Sequence, residues 1–577
     1  MGHARCGCPA PRLRRPCDTR RRDQLVRQHS TFPRPRSRPR LRSRPRLRLL
    51  GSLLLVVAAG VAGAGAAPGG AAAAAPAVRP LGDIVPVPAS VRPSGAPYTL
   101  TARTRVHADD GSPEARRVAA YLAEVLRPST GFALPVADDD GEGRGGIRLR
   151  LSRGEQELGE EGYRMESGRQ GVVLTARTPA GLFHGVQTLR QQLPAAVESD
   201  TRQPGPWTVA GGTIVDTPRY AYRGAMLDVS RHFFTVEQVK RYIDQLALYK
   251  VNALHLHLSD DQGWRIAIDS WPRLAAYGGS TQVGGGPGGH YTKEQYRDIV
   301  AYAASRHLEV VPEIDMPGHT NAALASYAEL NCDGVAPPLY TGTAVGFSSL
   351  CVGKDITYDF VDDVVRELAA LTPGRYVHIG GDEAHSTGHA DYVAFMDRAQ
   401  AVVAKYGKTV IGWHQLAGAT PAKGALVQYW GLDRTSDAEK ARVAAAARGG
   451  TGIVLSPADR LYLDMKYTKD TPLGLSWAGY VEVRRSYDWD PGNYLPGVPP
   501  GAVAGVEAPL WTETVASSAH IDRMAFPRVL GAAELGWSPA ASHDWEAYRQ
   551  RLAGQGPRLA ALGIDFYRSP QVEWRTE

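Results

Sequence analysis

Cysteine is scarce in this chain: five residues in 577, and three of them, Cys6, Cys8 and Cys17, fall in the first twenty positions. So few thiols exclude a disulfide-dense scaffold and a cysteine-ligated metal fold, and leave one even pair, Cys332 and Cys351. No Gly-rich phosphate fingerprint follows the first recognisable α/β strand, which argues against a dinucleotide or nucleotide site there. Acidic residues are nearly missing from the first 48 positions. That tract holds sixteen of the 66 basic residues against two of the 59 acidic ones, so the remaining chain carries 50 basic and 57 acidic groups, net −7. The formal charge of +7 therefore reflects one tail and implies no nucleic-acid partner for the folded part.

Also lacking is an unbroken apolar run of membrane-spanning length. Leu47 to Val57 is apolar but short, and glycines and alanines follow it through Ala75. A positive tract, a short apolar run and a small-residue exit read as a secretory signal with cleavage between Ala64 and Ala77. An uncleaved N-terminal anchor is the alternative. The expected product is extracellular, with no stable span in the mature protein, and in that setting Cys332 and Cys351 read as one disulfide.

What is present suggests three regions: 1–76, arginine-rich with the signal; 81–216, a small α+β support domain; and 219–577, a (β/α)8 barrel. In the second region, Ile147–Leu151 and Gly171–Ala176 alternate as strands do, and Glu114–Leu126 and Ala180–Leu193 carry helical periodicity. From Tyr220 onward a short apolar strand, a polar tip and usually a helix recur. The strands read as Tyr222–Asp228, Ala253–Leu258, Glu309–Ile314, Tyr376–Ile379, Thr409–Gly412, Leu426–Tyr429, Gly452–Leu455 and Ala502–Val506. Eight such units in about 350 residues suggest an α/β fold of the TIM-barrel class. A doubly wound open sheet is the alternative, because 417–424 and 467–500 read as loops rather than helices.

Barrel chemistry sits at the C-terminal strand tips. The tips here offer Arg231, Asp260, His319, the adjacent pair Asp382 and Glu383, Trp413, Trp430, Tyr462 with Asp464, and Trp511 with Glu513; Trp477 lies close by. Indole faces together with carboxylates and an arginine suit a sugar, whose C–H faces pack on rings while its hydroxyls need charged partners. The central stretch is Tyr376-Val377-His378-Ile379-Gly380-Gly381-Asp382-Glu383, a strand broken by two glycines and followed by two carboxylates. Sequence neighbours cannot straddle a glycosidic bond as the paired acids of ordinary glycosidases do, about 5 to 9.5 Å apart. The nucleophile must then come from another tip or from the substrate.

These segments, His378 to Glu383 together with Leu227-Asp228-Val229-Ser230-Arg231-His232 and Asp315-Met316-Pro317-Gly318-His319, resemble the family 20 glycoside hydrolases, the β-N-acetylhexosaminidases of secreted actinobacterial type. The resemblance implies exo-acting, retaining, substrate-assisted removal of terminal N-acetylhexosamine from oligosaccharides, with no cofactor and no metal, by a monomer or weak homodimer. It implies Glu383 as general acid and Asp382 as the group that orients the 2-acetamido nitrogen. His319 with Asp260 and Tyr462 would support them. Arg231, Trp413, Trp430, Asp464, Trp477, Trp511 and Glu513 would bind the sugar. Two alternatives are a chitinase-like barrel, whose D-x-x-D-x-D-x-E spacing His378 to Glu383 does not match, and a non-catalytic carbohydrate binder, which would not require both Asp382 and Glu383. A metal-dependent hydrolase using His255 and His257 is disfavoured, because Trp413 and Trp430 stand where that class would want further ligands.

Overall fold

The computed structural model describes residues 78–109, 111–139 and 145–576. The arginine-rich tract, the apolar run and the cleavage region through residue 76 lie outside the described residues. Among the described residues, no helix is long and apolar enough to cross a membrane.

The small α+β domain is built on a seven-stranded mixed sheet with strands in the spatial order Ser90–Pro93, Gly212–Asp216, Tyr163–Gly168, Gly171–Ala176, Ile147–Leu151, Val106–Ala108 and Val136–Asp138. Ile147–Leu151 and Gly171–Ala176 pair in parallel. The helix expected from residue 114 runs Pro113–Thr130: Ser112 caps it by accepting from the Ala115 N–H, and Gly131 ends it in the left-handed conformation. Its companion runs Pro179–Gln192, capped by Thr178. Both helices pack on the sheet.

Eight parallel strands then close on themselves: β1 (Tyr222–Asp228), β2 (Ala253–His257), β3 (Glu309–Glu313), β4 (Tyr376–His378), β5 (Thr409–Trp413), β6 (Leu426–Tyr429), β7 (Gly452–Leu455) and β8 (Val503–Leu510). Pairing of β1 with β8, from Tyr222 opposite Gly505 to Leu227 opposite Leu510, makes the sheet a barrel and excludes the open-sheet alternative. Capping boxes at Thr235/Gln238 and Thr292/Gln295 start the helices Val236–Ala247 and Lys293–Ser305. The connection after β5 holds a short 3-10 stretch, His414–Gly418, and that after β7 a five-residue helix, Val483–Tyr487, with 3-10 turns at Pro491–Asn493 and Pro500–Ala502, in keeping with the loop-like composition there.

Four strands differ from their sequence-based bounds by one residue at the C-terminal end, and β8 differs by more. β8 continues four residues past Val506, because the Glu507 carboxylate, which alone would end a core strand, is fully buried and accepts hydrogen bonds from Tyr222, His255 and Gln428. The extension carries Trp511 and Glu513 to the barrel mouth.

The small domain is bonded to the opposite, N-terminal end of β1 and β2. Arg223 donates twice to Glu161, at 3.0 and 2.6 Å, and Asn252 donates to the same carboxylate. Lys250, fully buried, donates to Asp216 at 3.0 Å and to the Tyr163 hydroxyl at 3.1 Å. A buried ion pair adds little over a hydrophobic pair, but losing one partner strands the other charge. Lys250→Ala is therefore expected to destabilise the chain by about 3–5 kcal/mol, read as a lower urea midpoint; an unchanged midpoint would show that Asp216 does not depend on the lysine.

Candidate active site

The acids are aimed by backbone conformations that few residues tolerate. After β4 the chain turns through Gly380 (φ 62°) and Gly381 (φ 97°), and a Cβ on Gly380 would overlap the Asp315 carboxylate. Asp315 Oδ1 accepts the Gly381 N–H at 3.1 Å, which ties the β3 tip to the turn. Glu383 and His319 also have positive φ, 45° and 55°. Side chains held there are strained, and strain of this kind concentrates where geometry serves function.

The side chains converge on one imidazole. His319 Nε2 lies 3.3 Å from Glu383 Oε2 and 3.8 Å from Asp382 Oδ2, and Nδ1 is hydrogen-bonded to Asp260 Oδ1 at 3.2 Å. Asp260 Oδ2 in turn meets Arg231 at 2.8 Å and His257 Nε2 at 2.7 Å. Burial alone would lower the His319 pKa, but the charges of Asp260 and Asp382 outweigh it and hold the ring protonated well above its ordinary range. Burial, then the negative charges of Glu383 and Glu313, push the Asp382 carboxyl up to about 6 against the opposing pull of His319.

These groups open onto a cavity of about 220 Å³ lined by Arg231, His319, Asp382, Glu383, Trp430, Tyr462, Asp464, Trp477, Trp511 and Glu513, with Thr343, Val345 and Leu475. Tyr462 stands between two indoles, 5.9 Å from Trp477 and 6.1 Å from Trp511, and Trp430 meets Trp477 edge-on at 6.1 Å. The Arg231 guanidinium sits 4.8 Å over the Trp511 ring. Both carboxylate oxygens of Asp464, Oε2 of Glu513 and Oδ1 of Asp382 are buried without a hydrogen-bond donor in normal geometry among the described residues. Buried polar atoms left this way favour a ligand rich in hydroxyl and amide groups. Burial and the Glu513 charge raise the Asp464 carboxyl well above its usual range; burial and the Asp228 charge raise that of Glu513, although Arg231 pulls it down.

Of the residues expected at the site, two lie behind the cavity wall. Asp260 sits one bond away, behind His319. Trp413 is fully buried under Trp511, rings 5.7 Å apart, and its indole N–H donates to Glu313 at 2.9 Å. Cys332 and Cys351 are disulfide-bonded and close the loop that brings Thr343 and Val345 to the cavity. Those two residues and Leu475 carried no periodic or chemical signal. Asp315 was part of a recognised motif, but nothing in the sequence suggested its place under the glycine turn. His255 and His257 have both ring nitrogens engaged by carboxylates, with Glu507 and Glu313 on the first and Glu313 and Asp260 on the second.

A protonated relay, paired acids and an indole-walled pocket at the C-terminal mouth of a (β/α)8 barrel define a glycoside hydrolase. The model of glycosyl hydrolase family 20, catalytic domain, matches residues 220–540, and that of the same family's domain 2 matches residues 82–217. The chain belongs to glycosyl hydrolase family 20. It is 75% identical to the β-N-acetylhexosaminidase of Streptomyces coelicolor A3(2), with a TM-score of 0.84 over 86% of this chain and 99% of that one. It is 74% identical to a mutant Streptomyces plicatus β-hexosaminidase solved with its product GlcNAc, at the same TM-score, over 86% of this chain and 98% of that one. A β-N-acetylhexosaminidase of Cellulomonas fimi is 42% identical over 480 residues, 83% of this chain and 94% of the relative.

Because the Asp382 carboxyl titrates near 6, activity is expected to rise as pH increases through that value, where the neutral acid becomes a carboxylate. The pH profile of kcat/KM should show this acid limb, and Asp382→Asn should lack it. A limb that persists in the variant would assign it to another group.

Proposed function

We propose that this protein is an exo-acting, retaining β-N-acetylhexosaminidase in which the substrate's own amide is the nucleophile. One observation carries this reading: Glu383 and Asp382 flank the same imidazole nitrogen, at 3.3 and 3.8 Å, and so face one cavity from one side. Two carboxylates so placed cannot attack and protonate from opposite faces of a sugar ring. The other carboxyls are poorly suited to attack. Asp315 is tucked beneath Gly380, and Asp464 and Glu513 are pushed toward their neutral forms. Neutral or hydrogen-bonded carboxyls suit sugar hydroxyls instead.

In the first step Glu383 gives its proton to the glycosidic oxygen while the acetamido oxygen bonds to C1 and the C1–O bond breaks, releasing the aglycone alcohol. Asp382 as carboxylate accepts the amide N–H and steadies the oxazolinium charge. Tyr462 donates to the acetamido oxygen from the other side. In the second step Glu383 takes a proton from water, whose oxygen attacks C1 and reopens the ring, giving the β-anomer. Protonated His319, held by Asp260, keeps Glu383 oriented. Trp430 and Trp511 wall the N-acetyl group and the ring, with Trp413 backing Trp511. Arg231, Asp464 and Glu513 grip the hydroxyls of the terminal sugar, and Trp477, partly exposed at the rim, stacks on the departing one.

The substrates are oligosaccharides ending in β-linked N-acetylhexosamine. The enzyme acts outside the cell as a monomer or weak homodimer after signal removal, a reading supported by the amino-terminal sequence pattern and by the disulfide. N-terminal sequencing of protein recovered from culture medium is expected to begin between residues 64 and 77; an intact terminus retained on membranes would mean an anchor.

Glu383→Gln is expected to lose about 10²–10⁴-fold in turnover on chitobiose but much less on an aryl glycoside with an acidic leaving group, which needs little protonation. Equal loss on both would remove the acid role. Proton NMR of the first product should show the β-anomer, and an α-anomer would exclude participation by the amide.

A further inference from the structure

Behind the relay, the barrel interior holds a chain of alternating carboxylates and imidazoles that, Asp260 apart, the mechanism above does not use. From the bottom upward, Glu507 bonds His255 Nδ1 at 2.9 Å, His255 Nε2 bonds Glu313 at 3.0 Å, Glu313 bonds His257 Nδ1, and His257 Nε2 bonds Asp260 at 2.7 Å. All five are buried, with at most 1% of their surface exposed. The charged groups around His257 come from several elements: Asp228 opposite it on β1, Arg231 across Asp260, Glu313 and Asp315 from β3 and its tip, and His378 from β4 through Glu313. The edge of the His257 ring also meets Trp511, centroids 4.9 Å apart.

We propose that His257 is a positioning residue for hydrolysis: a buried cation that clamps Asp260 so that its other oxygen faces His319, while Glu313 joins this clamp to the indole of Trp413 beneath the sugar wall. The proposal rests on the reading of Glu383 as acid. Asp260 has two oxygens: Arg231 and His257 share Oδ2, and the Asp261 N–H, at 2.6 Å, and His319 share Oδ1. Without His257, Arg231 alone holds Oδ2, the carboxylate can twist about the Oδ1 bond to the Asp261 N–H, and His319 loses the geometry that orients it toward Glu383. Burial opposes the charge on His257, yet Glu313 and Asp260 hold its pKa well above the ordinary range. Positive charge on this ring lowers the proton affinity of the neighbouring Asp315 carboxyl, which in turn interacts with Asp382.

Three variants give signed expectations. His257→Gln removes a cation, so the acid limb of kcat/KM moves up by about half a unit to one unit, the low end of what loss of a nearby opposite charge does. In the same variant turnover falls more on chitobiose than on an activated aryl glycoside, with KM for the aryl substrate little changed. Glu313→Gln keeps the shape but removes an anion, and moves the limb down. The double variant returns it toward the parent. A purely structural role predicts no opposite shifts and a double variant worse than either single one. An unmoved limb in His257→Gln, or a double variant displaced further than the singles, overturns the proposal. Should His257→Gln fail to fold, the near-isosteric Glu313→Gln carries the test alone, and an unmoved or raised limb overturns it. Failure of the acid assignment is seen separately, as equal losses on both substrates in Glu383→Gln. Failure of the present proposal leaves that contrast intact.

Discussion

Ionisable groups sealed inside the barrel must be satisfied by buried partners rather than by water, and this constraint organises the molecule. A carboxylate or an imidazolium without water is tolerable when a partner of opposite sign is hydrogen-bonded to it. Along the interior the signs alternate from Glu507 through His255, Glu313, His257 and Asp260 to His319, and the run ends at the one place where it meets a cavity, at Glu383 and Asp382. Most barrel cores are filled with apolar side chains. Here part of that volume is given to charge, and the reactive end inherits its electrostatics from the buried end.

The cavity mouth is shaped by a different logic. Its walls are large rigid rings whose mutual contacts, Trp413 under Trp511, Tyr462 between Trp511 and Trp477, and Trp430 against Trp477, leave them little rotamer freedom. Preorganised walls give up little entropy when a sugar enters. The strained conformations of Glu383 and His319 and the turn through the two glycines are held in place by bonds from a neighbouring strand tip, most directly from Asp315 to Gly381. Support from the small domain reaches the barrel at its far end through Glu161, Asp216 and Tyr163, away from the chemistry.

Much of this was legible from the residues alone. Short apolar runs that end in a polar tip are read as strands because burial on both faces demands them, and three of the eight, Tyr222–Asp228, Leu426–Tyr429 and Gly452–Leu455, have the bounds expected. The glycine pair before Asp382 announced a turn because positive φ is open to few other residues. Where expectation and structure part, a distant partner is responsible. Glu507 looked like the end of a strand until Tyr222, 285 positions earlier, and His255 were found against it. Trp413 read as a residue of the cavity wall, yet its bond to Glu313, 100 positions away, sets it one layer deeper.

By itself the sequence determined the repeating strand and helix units, the turn that presents the two acids, and the supply of carboxylates, indoles and one arginine at the strand tips, because backbone preference and burial periodicity are local properties. Only the tertiary structure decided which of those groups touch, which oxygen of Asp260 faces His319, how deep each indole sits, and that the disulfide-closed loop lends Thr343 and Val345 to the cavity. Those outcomes depend on barrel closure, which brings β1 and β8 into register across nearly 300 residues, and no local preference encodes a contact over that span.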